Sequence, residues 1–203
     1  MMSTTTTFTI GSEVRCNDGA CGELTRVIVD PVARELTHLV VGPRHRGMGH
    51  LVPIDLVDST TSEIQLQCDT AEFEALENAE ETQFISGASG LSWRYYDIGQ
   101  WGMGGGVDPA TITQNRVPAG EVEVRRGEHV HATDGAIGRV QGLAVDPSDH
   151  HVTHVLLDQG HLWGQKRVAI PITAVAGVDD GVRLNLTKDE VRDLPPVDLD
   201  QLA

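Results

Sequence analysis

The chain of 203 residues contains only eight aromatic residues (Phe 3, Trp 3, Tyr 2), few for a single large core. It is also poor in positive charge. Fifteen Lys and Arg stand against thirty Asp and Glu, for a net charge of −15. A phosphate backbone is held by clustered Lys and Arg, so nucleic acid is excluded as the main partner. No apolar run approaches the roughly 18 residues of a membrane helix, so no integral membrane segment is expected. The opening Met1-Met2-Ser3-Thr4-Thr5-Thr6-Thr7-Phe8-Thr9-Ile10 has neither the basic nor the apolar stretch of a secretory signal. The three cysteines, Cys16, Cys21 and Cys68, are an odd number and do not read as a disulfide framework. A reducing, cytoplasmic setting is therefore expected.

What the chain does have is glycine (22 residues) and an internal repeat. Positions 11–41 align without gaps on 127–157 at an offset of 116, with 11 identities in 31 positions. The identical pairs are Gly11/Gly127, Val14/Val130, Asp18/Asp134, Gly19/Gly135, Ala20/Ala136, Gly22/Gly138, Val29/Val145, Asp30/Asp146, Pro31/Pro147, Thr37/Thr153 and His38/His154. Beyond a two-residue insertion the offset becomes 118, matching Pro53 to Pro171, Val57 to Val175 and Leu66 to Leu184. A repeat of this kind means two like structural units.

The shared residues predict local structure. Asp18-Gly19 and Asp134-Gly135 read as tight hairpin turns, with glycine accepting a positive φ. Asp30-Pro31 and Asp146-Pro147 open a second turn, because proline pre-sets the first corner. Between them lie short runs of Val, Ile, Leu and Thr at about ten-residue spacing, the pattern of an antiparallel meander. Each unit closes on a capping box, Asp69-Thr70-Ala71-Glu72 or Thr187-Lys188-Asp189-Glu190, followed by a short helix. Closing such a small sheet on itself removes its exposed edges. The expected fold is all-β: two tandem small antiparallel β-barrels, each ending in a short helical turn.

These residues resemble the PRC-barrel family. The resemblance rests on Asp18-Gly19-Ala20-Cys21-Gly22 with Val52-Pro53-Ile54, and on Asp134-Gly135-Ala136-Ile137-Gly138 with Ile170-Pro171-Ile172. It covers both repeats, about 135 residues. It implies a protein-docking module without catalysis of its own. Members include the cytoplasmic domain of a photosynthetic reaction-centre subunit and the C-terminal domain of a ribosome-maturation factor. The chain lacks the membrane helix of the first and the extra barrel of the second, so neither role carries over.

Several residues invite chemistry. Six of nine histidines fall in the second unit: His129, His131, His150, His151, His154 and His161. His150-His151-x-x-His154 has metal-like spacing, but on a strand His151 points away from the other two, and no metal or other cofactor is expected. His38 and His154 follow a threonine in both repeats and have apolar neighbours two residues away. They are expected to be buried or half-buried and bonded to a backbone carbonyl, or else to respond to pH. Arg44 and Arg46, with Lys166 and Arg167 beyond Trp163, make locally basic spots that read either as solvated loop tips or as contacts for an acidic partner surface. The segment between the units holds five of the eight aromatics, among them Trp93, Tyr95, Tyr96 and Trp101. These either glue the units together or form a recognition strip. Its glycine run, Gly102 and Gly104 to Gly106, lacks the frame of a phosphate loop. Cys16 and Cys21 match Ala132 and Ile137 and are expected to be packing residues. No nucleophile elbow surrounds any serine.

The expected organisation is a flexible N-terminus (1–9), a first unit (10–76), a Gly- and aromatic-containing linker (77–125), a second unit (126–195) and a tail (196–203). Gly19, Gly22, Asp30, Pro31, His38, Pro53, Gly135, Gly138, Asp146, Pro147, His154 and Pro171 are expected to be structural. The expected function is a non-enzymatic docking or assembly module with a protein partner, and a homo-oligomer is compatible with it. The alternative is a small-molecule or metal-sensing module using the groove between the units and the histidines of the second.

Overall fold

A computed structural model describes residues 5–43, 49–58, 63–84, 111–158, 167–178 and 181–194. The first unit runs β2 (Glu13–Cys16), β3 (Gly19–Asp30), β4 (Glu35–Gly42), β5 (His50–Pro53), a 3-10 turn (Ile54–Leu56), β6 (Val57–Asp58), β7 (Ile64–Leu66) and α1 (Thr70–Glu74). The second repeats it as β11 (His129–Ala132), β12 (Gly135–Val145), β13 (Val152–Asp158), β14 (Arg167–Pro171), a 3-10 turn (Ile172–Ala174), β15 (Val175–Gly177), β16 (Val182–Leu184) and α2 (Lys188–Arg192). Three strands precede or join these units: β1 (Thr6–Thr9) and the paired β8 (Glu80–Phe84) and β9 (Thr111–Asn115). A fourth, β10 (Val122–Arg125), leads into the second unit.

The fold is all-β, with two seven-stranded sheets of like topology, β5-β4-β3-β2-β7-β6 and β14-β13-β12-β11-β16-β15. Both paths run open from end to end, and no closed barrel is found among the described residues. The meander is not wholly antiparallel: β2 pairs parallel with β7, and β11 with β16.

The seventh strand of each sheet comes from the other half. β1 pairs with β12, in the register Thr6↔Val145 to Thr9↔Gly142. β10 pairs with β3, in the register Val122↔Val29 to Arg125↔Arg26. Both members of each register differ by 116, so β1 and β10 are the same strand of the repeat, exchanged reciprocally. Thr6 to Thr9, expected as flexible terminus, are thus a structural strand. Val122 to Arg125, expected as linker, complete the first sheet.

A second symmetric contact joins the units at their Asp-Pro turns. Leu36 N–H donates to His150 O (2.9 Å) and Val152 N–H donates to Arg34 O (2.8 Å). Arg34 and His150, again 116 apart, are the two described non-glycine residues with positive φ, at 58° and 59°. Each turn is set by its aspartate. Asp30 Oδ1 accepts from Val32 N–H (2.7 Å) and Ala33 N–H (2.9 Å), and Asp146 Oδ1 from Ser148 N–H (2.9 Å). This is the physical content of the Asp-Pro identity.

The Asp-Gly identity has a different cause from the one expected. The hairpin corners are Asn17-Asp18 and Thr133-Asp134, with Gly19 and Gly135 already paired in strands. Gly135 has φ +132°, but Gly19 does not adopt a positive φ and has open space around it. The aspartates carry the shared role. Asp18 Oδ1 accepts from Thr70 N–H (2.9 Å), and Asp134 Oδ1 from Lys188 N–H (2.9 Å). Each corner thereby ties down the first turn of its helix, whose orphan N–H groups need partners. Both capping boxes form as the sequence predicts.

One apolar cluster runs through both units, with Val14, Leu24, Val27, Leu39 and Val52 from the first and Val130, Val140, Leu157 and Ile170 from the second. Phe8 and Val124, on the exchanged strands, belong to it. The outer face of the first sheet carries a separate cluster, Ile28, Val40 and Leu51, covered by Ala79 and Val117. The matched residues in the second unit are Ala144, Leu156 and Ala169.

Candidate functional site

A cavity of about 210 Å³ opens where the Asp30–Arg34 turn of the first unit meets the second sheet. Its walls are aliphatic: Val29, Val124, Leu143, Val152, Val155 and Val182. Its rim is Asp30, Pro31 and Arg34 on one side and Val175 to Val178 on the other. Asp30 and Arg34 are the charged residues that line it among the described residues.

The repeat explains how the space arises. The first unit carries Phe8, Leu36, Leu39 and Ile64 where the cavity wall has Val124, Val152, Val155 and Val182. Only Val27 against Leu143 runs the other way. Close-packed interiors leave few such voids, so removing carbons at four matched positions opens space unless the backbone collapses. Here the strand exchange and the paired turns hold the backbone apart.

Arg34 is fixed by its main chain. Its N–H donates to Asp30 O (2.8 Å), its carbonyl accepts from Val152, and its left-handed φ is held by both contacts. Its side chain is exposed, and its guanidinium has no hydrogen-bond or ion-pair partner among the described residues. Asp30 is oriented by the two turn amides on Oδ1, which leaves Oδ2 available.

A second polar cluster lies on the first sheet, and sequence reasoning missed it. Arg26 is buried at 6% exposure, pairing with Glu80 and with Glu123 Oε2 (3.2 Å). Glu80 Oε2 also accepts from Gly49 N–H (3.0 Å), and Glu123 Oε1 from Asn115 Nδ2 (3.1 Å). A buried guanidinium needs such partners. The signal was an arginine inside the apolar run Leu24 to Val29, but its carboxylates come from β8 and β10, far away in sequence. Arg26 matches Gly142, so the cluster belongs to one half alone.

The matched Thr-His pairs resolve differently from the expectation. Thr37 and Thr153 are bulge residues left out of the strand registers. Their hydroxyls lie 3.1 Å and 3.0 Å from the carbonyls of Ile28 and Ala144, respectively. His38 is half-buried as expected, but its Nδ1 faces Glu121 Oε2 at 3.5 Å rather than a backbone carbonyl. The same carboxylate oxygen is 2.5 Å from Thr37 Oγ1. His154 has Thr153 Oγ1 at 3.1 Å from Nδ1, and burial lowers its pKa. The difference follows from strand exchange: Glu121 precedes β10, whereas the matched residue before β1 is Thr5. Among the described residues, the histidine that does meet a backbone carbonyl is His50, with Nδ1 3.2 Å from Leu76 O and its ring edge-on to Phe73.

Cys16 lies in the apolar core and Cys21 packs against it, as expected, and the two also form a disulfide, with Cα atoms 5.9 Å apart. Val14 pairs with Gly22 and Arg15 with Ala20, so Cys21 is a bulge residue and can reach its neighbour across the hairpin. Cys68 is free and buried. Burial, reinforced by Glu72, Asp69 and Asp18, pushes its thiol pKa up, away from nucleophilic character.

His129 and His131 are exposed and alternate with buried Val130 and Ala132, with ring centroids 6.1 Å apart. Among the described residues no group of three or more His, Cys, Asp or Glu is placed to hold a metal ion. Arg44, Arg46, Trp93, Tyr95, Tyr96, Trp101, Trp163 and Lys166 lie outside the described residues, as does the side chain of Arg167. Gly22, Pro53 and Pro171 sit in the sheets where the repeat put them, and Gly22 has φ +156° with its α-carbon facing Gly42. Among the described residues no helix is long and apolar enough to cross a membrane. No protein-family model matches the chain, and neither does any curated protein.

Proposed function

We propose that the chain is a non-enzymatic binding module of the PRC-barrel type, in which two β-units with exchanged strands frame a small-molecule site. The observation that carries this reading is the aliphatic cavity with Asp30 and Arg34 at its rim. Binding pockets have this composition, an apolar body with a few placed polar groups. The site lies between the units, at the groove that the sequence pointed to, but its polar groups come from the first-unit turn and not from the second-unit histidines. The barrel description is supported by the motifs and by the pairing of each terminal strand back onto the first hairpin, β7 on β2 and β16 on β11.

The test is an NMR titration of the full chain with neutral apolar probes, toluene and 3-methylbutanol. Shifts confined to Val124, Leu143, Val155 and Val182 are expected, and Val124→Phe, which restores the first unit's Phe8, abolishes them. Saturable shifts elsewhere, or none at millimolar probe, would refute the site.

Docking to a protein partner is the second reading. Val32, 90% exposed, is the one large exposed apolar residue among those described. Anchors for a partner would thus come from Trp93, Tyr95, Tyr96 and Trp101, with Arg44, Arg46, Trp163, Lys166 and Arg167 as basic contacts. Replacing Trp93 and Trp101 by Ala should abolish recovery of the partner while leaving the melting temperature unchanged. Undiminished recovery counts against it.

A further inference from the structure

We propose that the ligand of the cavity is a free aliphatic α-amino acid, with its side chain inward, its carboxylate on Arg34 and its ammonium facing Asp30. This rests on the reading of the cavity as a ligand site and names the chemistry it selects.

Size and lining fix the body of the ligand. An apolar cavity of about 150 Å³ accommodates benzene, and this one is about 210 Å³ with aliphatic walls. A branched side chain of four or five carbons fits, with room left toward the rim. Val, Leu and Ile side chains on the wall offer no hydrogen bond, so a polar side chain would lose its hydration without replacement.

The rim fixes the head group. One cation and one anion stand on the same turn, four residues apart, yet no ion pair joins them. The Asp30 carboxylate is oriented by turn amides, and the Arg34 main chain by its own backbone bonds, so neither is held by the other. A simple carboxylate would satisfy Arg34 and sit beside Asp30 uncompensated. A simple amine would do the reverse. An α-amino acid presents both signs on adjacent atoms, matching the pair. It also carries no net charge, whereas a free anion would approach a chain of net charge −15 against its field. Because Arg34 is pinned in the left-handed region by Val152 and Asp30, little main-chain ordering remains to oppose binding.

The experiment is a calorimetric titration of the full chain with L-leucine, 4-methylpentanoate and 3-methylbutylamine, which share an aliphatic body and differ in charge. Leucine should bind at least about tenfold more tightly than either analogue, the loss expected for one charge-assisted hydrogen bond. Arg34→Gln should weaken leucine about tenfold and leave 3-methylbutylamine unweakened. Val124→Phe, or Val155→Leu if the first does not fold, should abolish all three. If the three bind equally and Val124→Phe removes them, the amino-acid assignment is overturned and the cavity stands. If binding survives both filling variants, assignment and cavity fall together. If none of the three binds the wild-type chain, the assignment is overturned, and the neutral-probe titration decides the cavity by itself.

Discussion

Replacing Gly142 by Ala tests whether the exchanged strand holds the fold together. A β-carbon on Gly142 would lie 2.1 Å from Phe8 O, 2.9 Å from Thr9 Cα and 3.0 Å from Phe8 C. All three are backbone atoms of β1 or its immediate pairing, so no side chain can swing aside. β1 must move outward by roughly an ångström to reach ordinary contact distance, which breaks its ladder to β12. Phe8 and Ile10, each 2% exposed, then lose their burial. At about 1.5–3 kcal/mol per large apolar side chain, complete loss costs about 3–6 kcal/mol. That is a large part of the stability of an ordinary domain. Denaturant unfolding followed by circular dichroism should show a loss in the upper part of this range or, if β1 only shifts, at least about 2 kcal/mol. Hydrogen exchange should accelerate at residues 6–10 and 142–145 before elsewhere. Gly19→Ala is the matched control: nothing lies within 4 Å of its added carbon, and its effect should stay within about 0.5 kcal/mol. A Gly142→Ala chain within about 1 kcal/mol of wild type would refute the close strand approach.

Arg26→Ala strands Glu80 and Glu123; with these carboxylates about 20% exposed, a loss of about 2–4 kcal/mol is expected by denaturant unfolding, below the fully buried case. A loss under about 0.5 kcal/mol would mean that water already solvates the cluster. Burial holds the His154 pKa below its ordinary 6.5, so folding favours the neutral ring. Its contribution is present above about 6.5 and is lost as pH falls through the lowered folded value. Melting temperatures between pH 7.5 and 5 should therefore fall further for wild type than for His154→Gln, and parallel curves would rule the effect out. The Cys16–Cys21 bridge closes a loop of separation 5, so the double Ala variant should lose up to about 2 kcal/mol, and reductant should shift the melting point of wild type but not of the variant.

Much of this fold is legible in the residues, because the repeat encodes it twice. The Asp-Pro turns, the capping boxes and the strands between them follow from local chemistry that acts within a few residues. Reciprocal exchange is not legible. Thr6-Thr7-Phe8-Thr9 reads as an unremarkable polar start, and only its partner Val145, 139 positions on, makes it a strand. Arg26 fails for the same reason, since its carboxylates lie on β8 and β10. The cavity was within reach: a column-by-column comparison of the repeats shows Phe8, Leu36, Leu39 and Ile64 shrinking to valine. Without the fold, nothing says that those four columns face one space. Cys21 reads as a packing residue because its match is Ile137, and only the bulge aims it at Cys16.

The exchange also places a clock on the protein's birth. β3 is complete when residue 30 has been made, but β10, which covers its flank, ends at residue 125, and β1 waits for β12, which ends at residue 145. At about 5–20 residues per second the early half is chemically complete for several seconds before its last strand exists. During that interval the flank of β3 and the apolar face of Phe8 are open to any neighbouring chain, including another nascent copy on the same message. Crowded synthesis should therefore favour pairing between copies, and slow translation through the region after residue 76 would lengthen the exposure. The reciprocal bond that makes the finished molecule hard to separate is the same one that makes its synthesis vulnerable.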